Sequence, residues 1–273
     1  MKAFIDVKSE DYASNVELFD VDKQGMITIP VKKIETHKKL RYSEIFDSIS
    51  FVKLDDALEA VVGEISKLVI DNDRIFILDT RKTKSLKVFD LEGKYLFSVG
   101  RVGRGPQEFF EPTDFSVFNS EIQIYDQYTC KILTYDSQGE FIKEDKMPFS
   151  YRSFHHFEND TYVFQCMESD NFHMDEILDY TLLETDSSYK INYKGAYREY
   201  DKYVPFTSLH DLNYCNNAVI YLEPLTRNVL QVHPNGKLQW LYRYHIKVAI
   251  FYRQLSRELN NCRYHILEKI PFP

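Results

Sequence analysis

The chain has 273 residues, 44% of them hydrophobic and 28% charged, which suffices for a substantial core and excludes extended disorder. Its formal charge of −8 disfavours nucleic acid as a partner, because phosphate backbones are repelled at long range. Twenty Tyr and twenty Phe against nine Gly and nine Pro favour a strand-rich fold, since aromatic rings suit half-buried pleated surfaces.

The N-terminal region, residues 1–64, contains three strand-like pieces, Val16–Val21, Met26–Val31 and Ile49–Leu54, from which one partial blade could form. Its first residues do not read as a signal peptide, and no apolar run approaches the roughly 20 residues of a membrane span. We therefore predict no transmembrane segment. The compartment stays open: periplasm or cell surface if a lipoprotein signal has been removed, cytoplasm otherwise.

The stretch Asp20–Val31 resembles the start of a calcium loop, with oxygen-bearing side chains at positions one, three and five and Gly25 at six. The twelfth position, which should supply a bidentate carboxylate, is Val31, and the flanks read as strands. A hairpin turn is the favoured interpretation. No metal ligand and no cofactor-binding residue is predicted anywhere in the chain.

An internal repeat follows this region. Asp90 recurs as Asp136 after 46 residues, as Asp186 after another 50 and as His233 after another 47. Each unit alternates strand-like runs with polar or Gly turns, and a period of about 46 to 50 residues with several short strands is typical of propeller blades. The spacing predicts propeller repeats over 65–245, divided at 65–110, 111–150, 151–198 and 199–245.

Within the first clear unit we predict four antiparallel strands at Ile65–Ile70, Arg74–Asp79, Leu86–Asp90 and Lys94–Val99. The second of these is apolar on both faces, as expected for a strand between two neighbouring blades. The fold class is therefore all-β, a β-propeller of four-stranded blades. Residues 246–273 do not continue the repeat, and their apolar spacing predicts a short C-terminal helix.

The segment between the first two clear blades reads GRVGRGPQEFFEP. It resembles the inter-blade signature of NHL-like six-bladed β-propellers, and residues 40–79 look like the N-terminal part of a propeller group common in Bacteroidetes, often behind a lipoprotein signal. Gln107 stands where the motif usually has Gly. The matching residues are Gly100, Gly103, Gly105, Pro106, Glu108, Phe109 and Pro112.

This resemblance implies a ring of six blades, whereas about four repeats are visible. An incomplete ring leaves open strand edges, which proteins normally cover or pair. The chain could accordingly be a truncated or altered member, or it could self-associate through open blade edges.

No catalytic constellation is recognisable, so no catalytic residue is nominated. His173, Asp175 and Glu176 lie where the third repeat is lengthened, and a loop there could reach a propeller rim where ligands bind. Arg101 and Arg104 of the Gly-rich segment point to solvent or to an acidic rim. These five residues are the candidate ligand-binding residues.

The adjacent His155 and His156 should point to opposite faces of a strand and so cannot chelate one ion. Tyrosines are dense between Tyr189 and Tyr203, which suits either a carbohydrate- or peptide-binding surface or packing between blades. Cysteines are dispersed without Cys-x-x-Cys spacing, so buried thiols are expected.

The leading functional hypothesis is a non-enzymatic binding or scaffold propeller that presents rim loops to a protein, peptide or glycan. The first alternative is a polysaccharide lyase or hydrolase with its site in the propeller channel. Polar side chains converging from the innermost strands of several blades would favour that enzyme. The second alternative is a truncated propeller without independent function.

Overall fold

The fold consists of four antiparallel sheets, seen in a computed structural model that describes residues 4, 6–31, 41, 43, 46–167, 171–198, 212–215, 218–223 and 228–246. The sheets form a four-bladed β-propeller arrangement with little helix, which confirms the predicted fold class. The predicted C-terminal helix lies outside the described residues.

The N-terminal elements precede the blades. They are α1 (Ser9–Tyr12), β1 (Glu17–Leu18), β2 (Asp20–Asp22) and β3 (Ile27–Val31). The first two blades are regular, each with its strands in sequence order. Blade 1 comprises β4 (Lys67–Asp71), β5 (Arg74–Asp79), β6 (Ser85–Asp90) and β7 (Tyr95–Val99), and blade 2 comprises β8 (Pro112–Phe118), β9 (Glu121–Asp126), β10 (Lys131–Tyr135) and β11 (Phe141–Lys146).

The last two blades have the same internal order. Blade 3 comprises β12 (Ser153–His156), β13 (Tyr162–Gln165), β14 (Tyr180–Thr185) and β15 (Ile191–Tyr197), and blade 4 comprises β16 (Leu212–Cys215), β17 (Ala218–Leu222), β18 (Asn228–His233) and β19 (Lys237–Ile246). All four strands predicted for the first repeat are present, with ends shifted by at most two residues.

The N-terminal strands extend blades 3 and 4 instead of forming a sheet of their own. Strand β1 pairs in parallel with β15, and β2 and β3 both pair in parallel with β19. Because β2 and β3 run in the same direction, the hairpin interpretation of Asp20–Val31 is wrong. The turn between these strands is held by Asp22, whose Oδ1 accepts the backbone N–H of Gln24 at 2.7 Å.

Residues 52–62 of the segment 46–62 lie against one face of blade 1. They contain a 3-10 turn at Leu58–Ala60, and the strand predicted at Ile49–Leu54 is absent, because this segment joins no ladder among the described strands. Ala60, only 1% exposed, packs into a small cluster on that face. The other members of the cluster are Leu54, Val62, Ile75, Ile77, Phe89 and Tyr95.

Three larger clusters join consecutive blades, which explains why the middle strands are apolar on both faces. Blades 1 and 2 share a cluster that includes Phe76, Val88, Phe115, Ile124 and Leu133. Blades 2 and 3 share one that includes Tyr125, Ile132, Tyr151, Phe154 and Phe164, and blades 3 and 4 one that includes Val163, Leu182, Val219, Tyr221 and Leu230. Cys130 and Cys166 are buried thiols.

A buried aspartate closes the end of the second strand in blades 1 and 2. The Asp79 carboxylate accepts backbone N–H groups from residues before β4 and from the β5–β6 loop, at 2.8 to 3.1 Å. Asp126, 47 residues later, binds Phe110 and Glu111 before β8 and Tyr128 and Thr129 after β9 in the same way. Each carboxylate therefore joins the segment before the first strand of its blade, the blade entry, to the loop after the second strand.

Protonation of Asp79 should weaken the fold at acid pH. Burial raises the pKa of Asp79, but hydrogen bonds from Lys82, Thr83 and Arg81 outweigh it and lower the pKa from 3.8 to about 2. A depressed carboxyl pKa stabilises the fold above the ordinary value, and this stabilisation is lost as pH falls from about 4 to about 2. We expect Asp79→Asn to lower the free energy of unfolding by about 2 kcal/mol at neutral pH.

Urea unfolding of both proteins between pH 7 and pH 2 measures this effect. The difference in unfolding free energy should shrink as pH falls through that window. Asp56→Asn, which alters an exposed carboxylate, is the control and should show no such convergence. A difference that stays constant down to pH 2 would contradict the assignment.

The Gly-rich segment between blades 1 and 2 is a folded loop around Glu108. The Glu108 carboxylate accepts the Gly105 N–H at 2.8 Å and the Arg101 Nε–H at 2.7 Å, while Phe109 is fully buried between the blades. Gln107 adopts a φ of 67°. Glycine adopts this left-handed conformation more easily than other residues, which explains why the NHL-like motif usually has Gly at this position.

Replacing Gln107 by glycine should stabilise the protein. The Gln107 carbonyl, which accepts the Tyr135 Oη–H at 3.3 Å, is retained in the variant. Relief of the left-handed strain, partly offset by greater chain entropy in the unfolded state, gives an expected gain of about 0.5–1 kcal/mol. Urea unfolding of Gln107→Gly measures it, with Gln107→Ala as the control that should show no gain. Equal stabilities for the two variants would contradict the backbone explanation.

Candidate ligand-binding site

The innermost strands of all four blades line one central cavity of about 360 Å³. Strand β4 and the residue before it contribute 66–70, β8 contributes 115–117, β12 contributes 154 and 155, and β16 contributes 212–214. Leu68 and Ile70 are 46% and 63% exposed there, so the wall has an apolar part. The first strand of each blade therefore carries the side chains that a ligand in the cavity would meet.

A charged pair joins three of these strands. The Lys67 ammonium donates to Asp114 Oδ1 at 2.7 Å and to the Phe115 carbonyl at 2.8 Å, while Asp114 Oδ2 accepts the Phe154 N–H at 2.9 Å. Asp114 is fully buried and the Lys67 side chain is 19% exposed. Both charges are thus engaged in holding β4, β8 and β12 together.

His155 and Tyr214 form a stacked aromatic pair in the cavity wall. Their rings stack with centroids 4.6 Å apart and an interplanar angle of 15°. Burial, assisted by the charge of Lys67 and by His156, lowers the pKa of His155 from 6.5 to about 3, so the imidazole is neutral at physiological pH. Its ring nitrogens have no hydrogen-bond partner among the described residues.

His156 points away from His155, as alternation along β12 requires. Its ring stacks on Tyr162 at 3.9 Å and its Nε2 bonds Asp160 Oδ1 at 2.9 Å. Burial lowers the pKa of His156 as well. The two imidazoles therefore lie in different environments, and only His155 borders the cavity.

The candidate rim residues all lie at one edge of the propeller. In each blade the second and fourth strands end at this edge, so the second-to-third-strand loops and the links to the next blade meet there. Contacts between these loops and links support their common location. Arg152 bonds Gln127 at 3.0 Å, and Asn171 bonds the Ser150 backbone at 2.8 and 3.0 Å. We call this edge the loop rim; its described parts are residues 80–84, 100–111, 127–130, 147–152, 166, 167 and 171–179.

The lengthened loop of blade 3 holds three of the five candidates. His173 Nε2 bonds the Pro148 carbonyl at 2.9 Å and its ring stacks on Phe4, so it is engaged in packing. Glu176 accepts Lys194 Nζ at 2.7 Å, whereas Asp175 is exposed. The structure brings these residues together, and their binding role stays a prediction.

Arg101 and Arg104 lie on the Gly-rich loop with different partners. Arg101 is paired with Glu108, although its side chain is 79% exposed. Arg104 places its guanidinium carbon 5.0 Å from the centre of the Phe110 ring. This second contact is a cation–π interaction, and it leaves the arginine charge available at the loop rim.

The tyrosine-rich stretch divides into buried and exposed members. Tyr189 is buried, and its Oη lies 3.3 Å from Asp145 Oδ2, while Tyr193 packs against Phe19. Tyr197 is 62% exposed. Residues 199–211, with the remaining tyrosines of the stretch, lie outside the described residues.

The sequence did not predict that Lys67, Asp114 and Tyr214 belong to a site, nor that His155 lines the cavity. Their shared signal is position: each lies on the first strand of a blade, the strand nearest the propeller axis. A lysine at the start of β4 and an aspartate near the start of β8 were readable, but their pairing across blades was not. Assigning first strands to the axis would have nominated them.

The described ranges of the chain contain neither a metal-ligating cluster nor a helix that could span a membrane. No group of three or more His, Cys, Asp or Glu side chains in those ranges is placed to hold a metal ion. No described helix has the length and apolarity needed to cross a bilayer.

Four radial sheets around a lined cavity define a β-propeller. The chain belongs to the family described as Domain of unknown function (DUF4934), whose model matches residues 26–267. No curated protein matches the chain.

Two solved structures from Bacteroides are similar to the chain. One, a Bacteroides fragilis protein assigned as exported, shares 19% identity with a TM-score of 0.71, covering 86% of this chain and 65% of that one. The other, a member of the duf4221 family from Bacteroides vulgatus, shares 12% identity with a TM-score of 0.47, covering 72% and 61%. The chain thus spans about two thirds of the first protein's length, and this likeness shows the fold alone.

Removing the Lys67 ammonium should destabilise the propeller. Lys67→Met would leave the Asp114 carboxylate buried without its cation, and breaking such pairs costs about 3 kcal/mol or more. Chemical denaturation measures the loss. Lys131→Met breaks the exposed Lys131–Glu144 pair and should cost less than about 1 kcal/mol. Equal losses of unfolding free energy in the two variants would show that the buried Lys67–Asp114 pair stabilises the protein no more than an exposed pair does.

Proposed function

We propose that this protein is a non-enzymatic binding propeller that receives a ligand in its central cavity and presents its loop rim to a protein, peptide or glycan. The observation that carries the proposal is that the charged and the aromatic or apolar side chains of the cavity wall have different contacts. Lys67 is paired with Asp114, whereas the His155–Tyr214 stack and the apolar side chains of Leu68 and Ile70 line the cavity. Concave sites with an apolar wall and few polar groups are typical of ligand binding.

The neutral state of His155 supports recognition of an uncharged polar group. A neutral imidazole offers one N–H donor and one acceptor nitrogen. With a pKa of about 3, His155 keeps this state across the physiological range. Its stacking on Tyr214 fixes the ring plane, so the ligand meets an oriented donor and acceptor without a charge change.

An enzyme is the second candidate, since Lys67, Asp114 and His155 do converge from the first strands of three blades. Convergence of this kind favours a lyase or hydrolase with its site in the channel. However, a histidine with a pKa of about 3 is a weak base, whereas general-base catalysis favours a pKa near the working pH. Lys67 is already bonded to Asp114 and the Phe115 carbonyl. The binding function therefore has the stronger support.

The proposal includes export of the protein to the periplasm or cell surface. The Bacteroides fragilis protein of similar fold is assigned as exported, which supports this location. The NHL-like ring of six blades stays a prediction from the inter-blade motif, since the structure describes four.

Self-association through open blade edges also stays a prediction, as does the alternative of a truncated propeller without independent function. The outer edges of blades 3 and 4 are paired with β1, β2 and β3. Strand β11, at the edge of blade 2, carries charged residues over 143–146, which discourage edge pairing. Light scattering on the purified chain decides whether it associates.

Cavity variants test the binding function. We expect the purified protein to bind probes on an array of neutral oligosaccharides and short peptides, and His155→Phe and Tyr214→Ala to weaken the strongest interaction about tenfold. His155→Phe keeps the stacking but removes the donor and acceptor nitrogens, so its loss reports on the hydrogen bonds. Titration calorimetry with the selected probe measures both affinities.

The matched control is Tyr197→Ala, which removes a similarly exposed tyrosine on β15, outside the cavity lining. It should leave the affinity unchanged. Unchanged affinity in both cavity variants would contradict the cavity as the site. Cleavage of any oligosaccharide probe by the native protein, abolished in Lys67→Met or His155→Phe, would replace binding by catalysis.

A further inference from the structure

A cationic aromatic cluster occupies the loop rim at the junction of blades 1 and 2. Lys84 Nζ lies 5.3 Å and Arg104 Cζ 5.0 Å from the centre of the Phe110 ring. The Tyr128 ring lies 4.6 Å from the same centre, tilted by 46°. Two cations and a second aromatic ring, from three separate loops, thus converge on one side chain.

The cluster is held in place by the buried carboxylate of Asp126. Its Oδ2 accepts the Phe110 N–H at 2.7 Å and its Oδ1 accepts the Tyr128 N–H at 3.0 Å. Asp126 itself is fully buried. The backbones that carry both rings are therefore fixed relative to each other, which is the preorganisation expected of a recognition surface.

The charge of this region is opposite to that of the chain. Loops 80–84, 100–111 and 127–130 carry five basic residues and two acidic ones, whereas the whole chain has a net charge of −8. One of the two acids, Glu108, is paired with Arg101. Lys84 and Arg104 make no ion pair with any described carboxylate, so their charges are held by an aromatic ring without being neutralised.

Exposure indicates which chemistry fits. Tyr128 is 61% exposed, so a flat apolar surface with a hydroxyl lies beside the two cations. Sugar rings present flat C–H faces that stack on aromatic rings, and the carboxylates of uronic acids pair with ammonium and guanidinium groups. An acidic peptide would use the cations but has less need of the ring.

We propose that the cluster of Lys84, Arg104, Phe110 and Tyr128 is a binding site for an acidic polysaccharide of the uronate class. A sugar ring stacks on Tyr128 while its carboxylate, or that of the next residue, pairs with Arg104 and Lys84. The inference rests on the proposed binding function and adds a second site to it, separate from the central cavity.

The test uses tetragalacturonate as the probe and the full chain as the protein. We expect Lys84→Gln combined with Arg104→Gln to weaken binding at least tenfold, and Tyr128→Ala to weaken it about fivefold. Binding of the native protein should fall as NaCl is raised, because exposed charge pairs are screened, and this salt dependence should be largely lost in the double variant. Calorimetry measures the affinities, and urea unfolding checks that each variant remains folded.

Lys94→Gln removes an exposed lysine from the opposite edge of blade 1 and should leave the affinity unchanged. His155→Phe and Tyr214→Ala should also leave it unchanged, so failure at this site and failure of the cavity function are distinguishable. Equal affinity for a glutamate tetramer, or binding that Tyr128→Ala does not weaken, would overturn the assignment to a uronate. So would an absence of tetragalacturonate binding by the native protein.

Discussion

The buried carboxylates at the ends of β5 and β9 are the constraint on which much of this propeller depends. A blade needs both faces covered, so the chain must leave its outermost strand and return to the axis at a fixed point. Asp79 and Asp126 fix that point, because each binds backbone N–H groups from the blade entry and from the following loop. A buried charge without such donors would be costly, so the loops and the carboxylates stabilise one another.

Buried carboxylates of this kind also set the positions of side chains in the two proposed binding sites. Asp126 touches no solvent, yet its two oxygens determine how Phe110 and Tyr128 face each other at the loop rim. At the axis, Asp114 has an equivalent part: it binds Lys67 and the Phe154 backbone and so brings three first strands to one cavity. In both places the acid is structural, and the neighbouring side chains are the ones that we propose for recognition.

The internal repeat allowed the fold class to be predicted from the sequence. The cavity residues could not be predicted in this way, because they are brought together by contacts between repeats. Strand positions in blade 1 follow from strand-like runs separated by polar or Gly turns, so their ends were predicted within two residues. The Lys67–Asp114 pair joins residues 47 positions apart in different blades, and nothing local marks it. The parallel pairing of β2 and β3 with β19 was not predicted for a related reason. The residues between β2 and β3 are also compatible with a hairpin turn. Only pairing with β19, far along the chain, makes the two strands run in the same direction.

This long-range pairing has consequences for how the protein is stabilised. Blades 1 and 2 are built from contacts between neighbours in sequence, but the outer edges of blades 3 and 4 are completed by residues 17–31. Closing such a distant contact costs chain entropy, which is compensated by ladder bonds and by burial of Phe19 in the cluster between blades 3 and 4. The N-terminal strands therefore couple the beginning of the chain to its last two blades, and the edges that they cover are those that would otherwise be free to pair with another molecule.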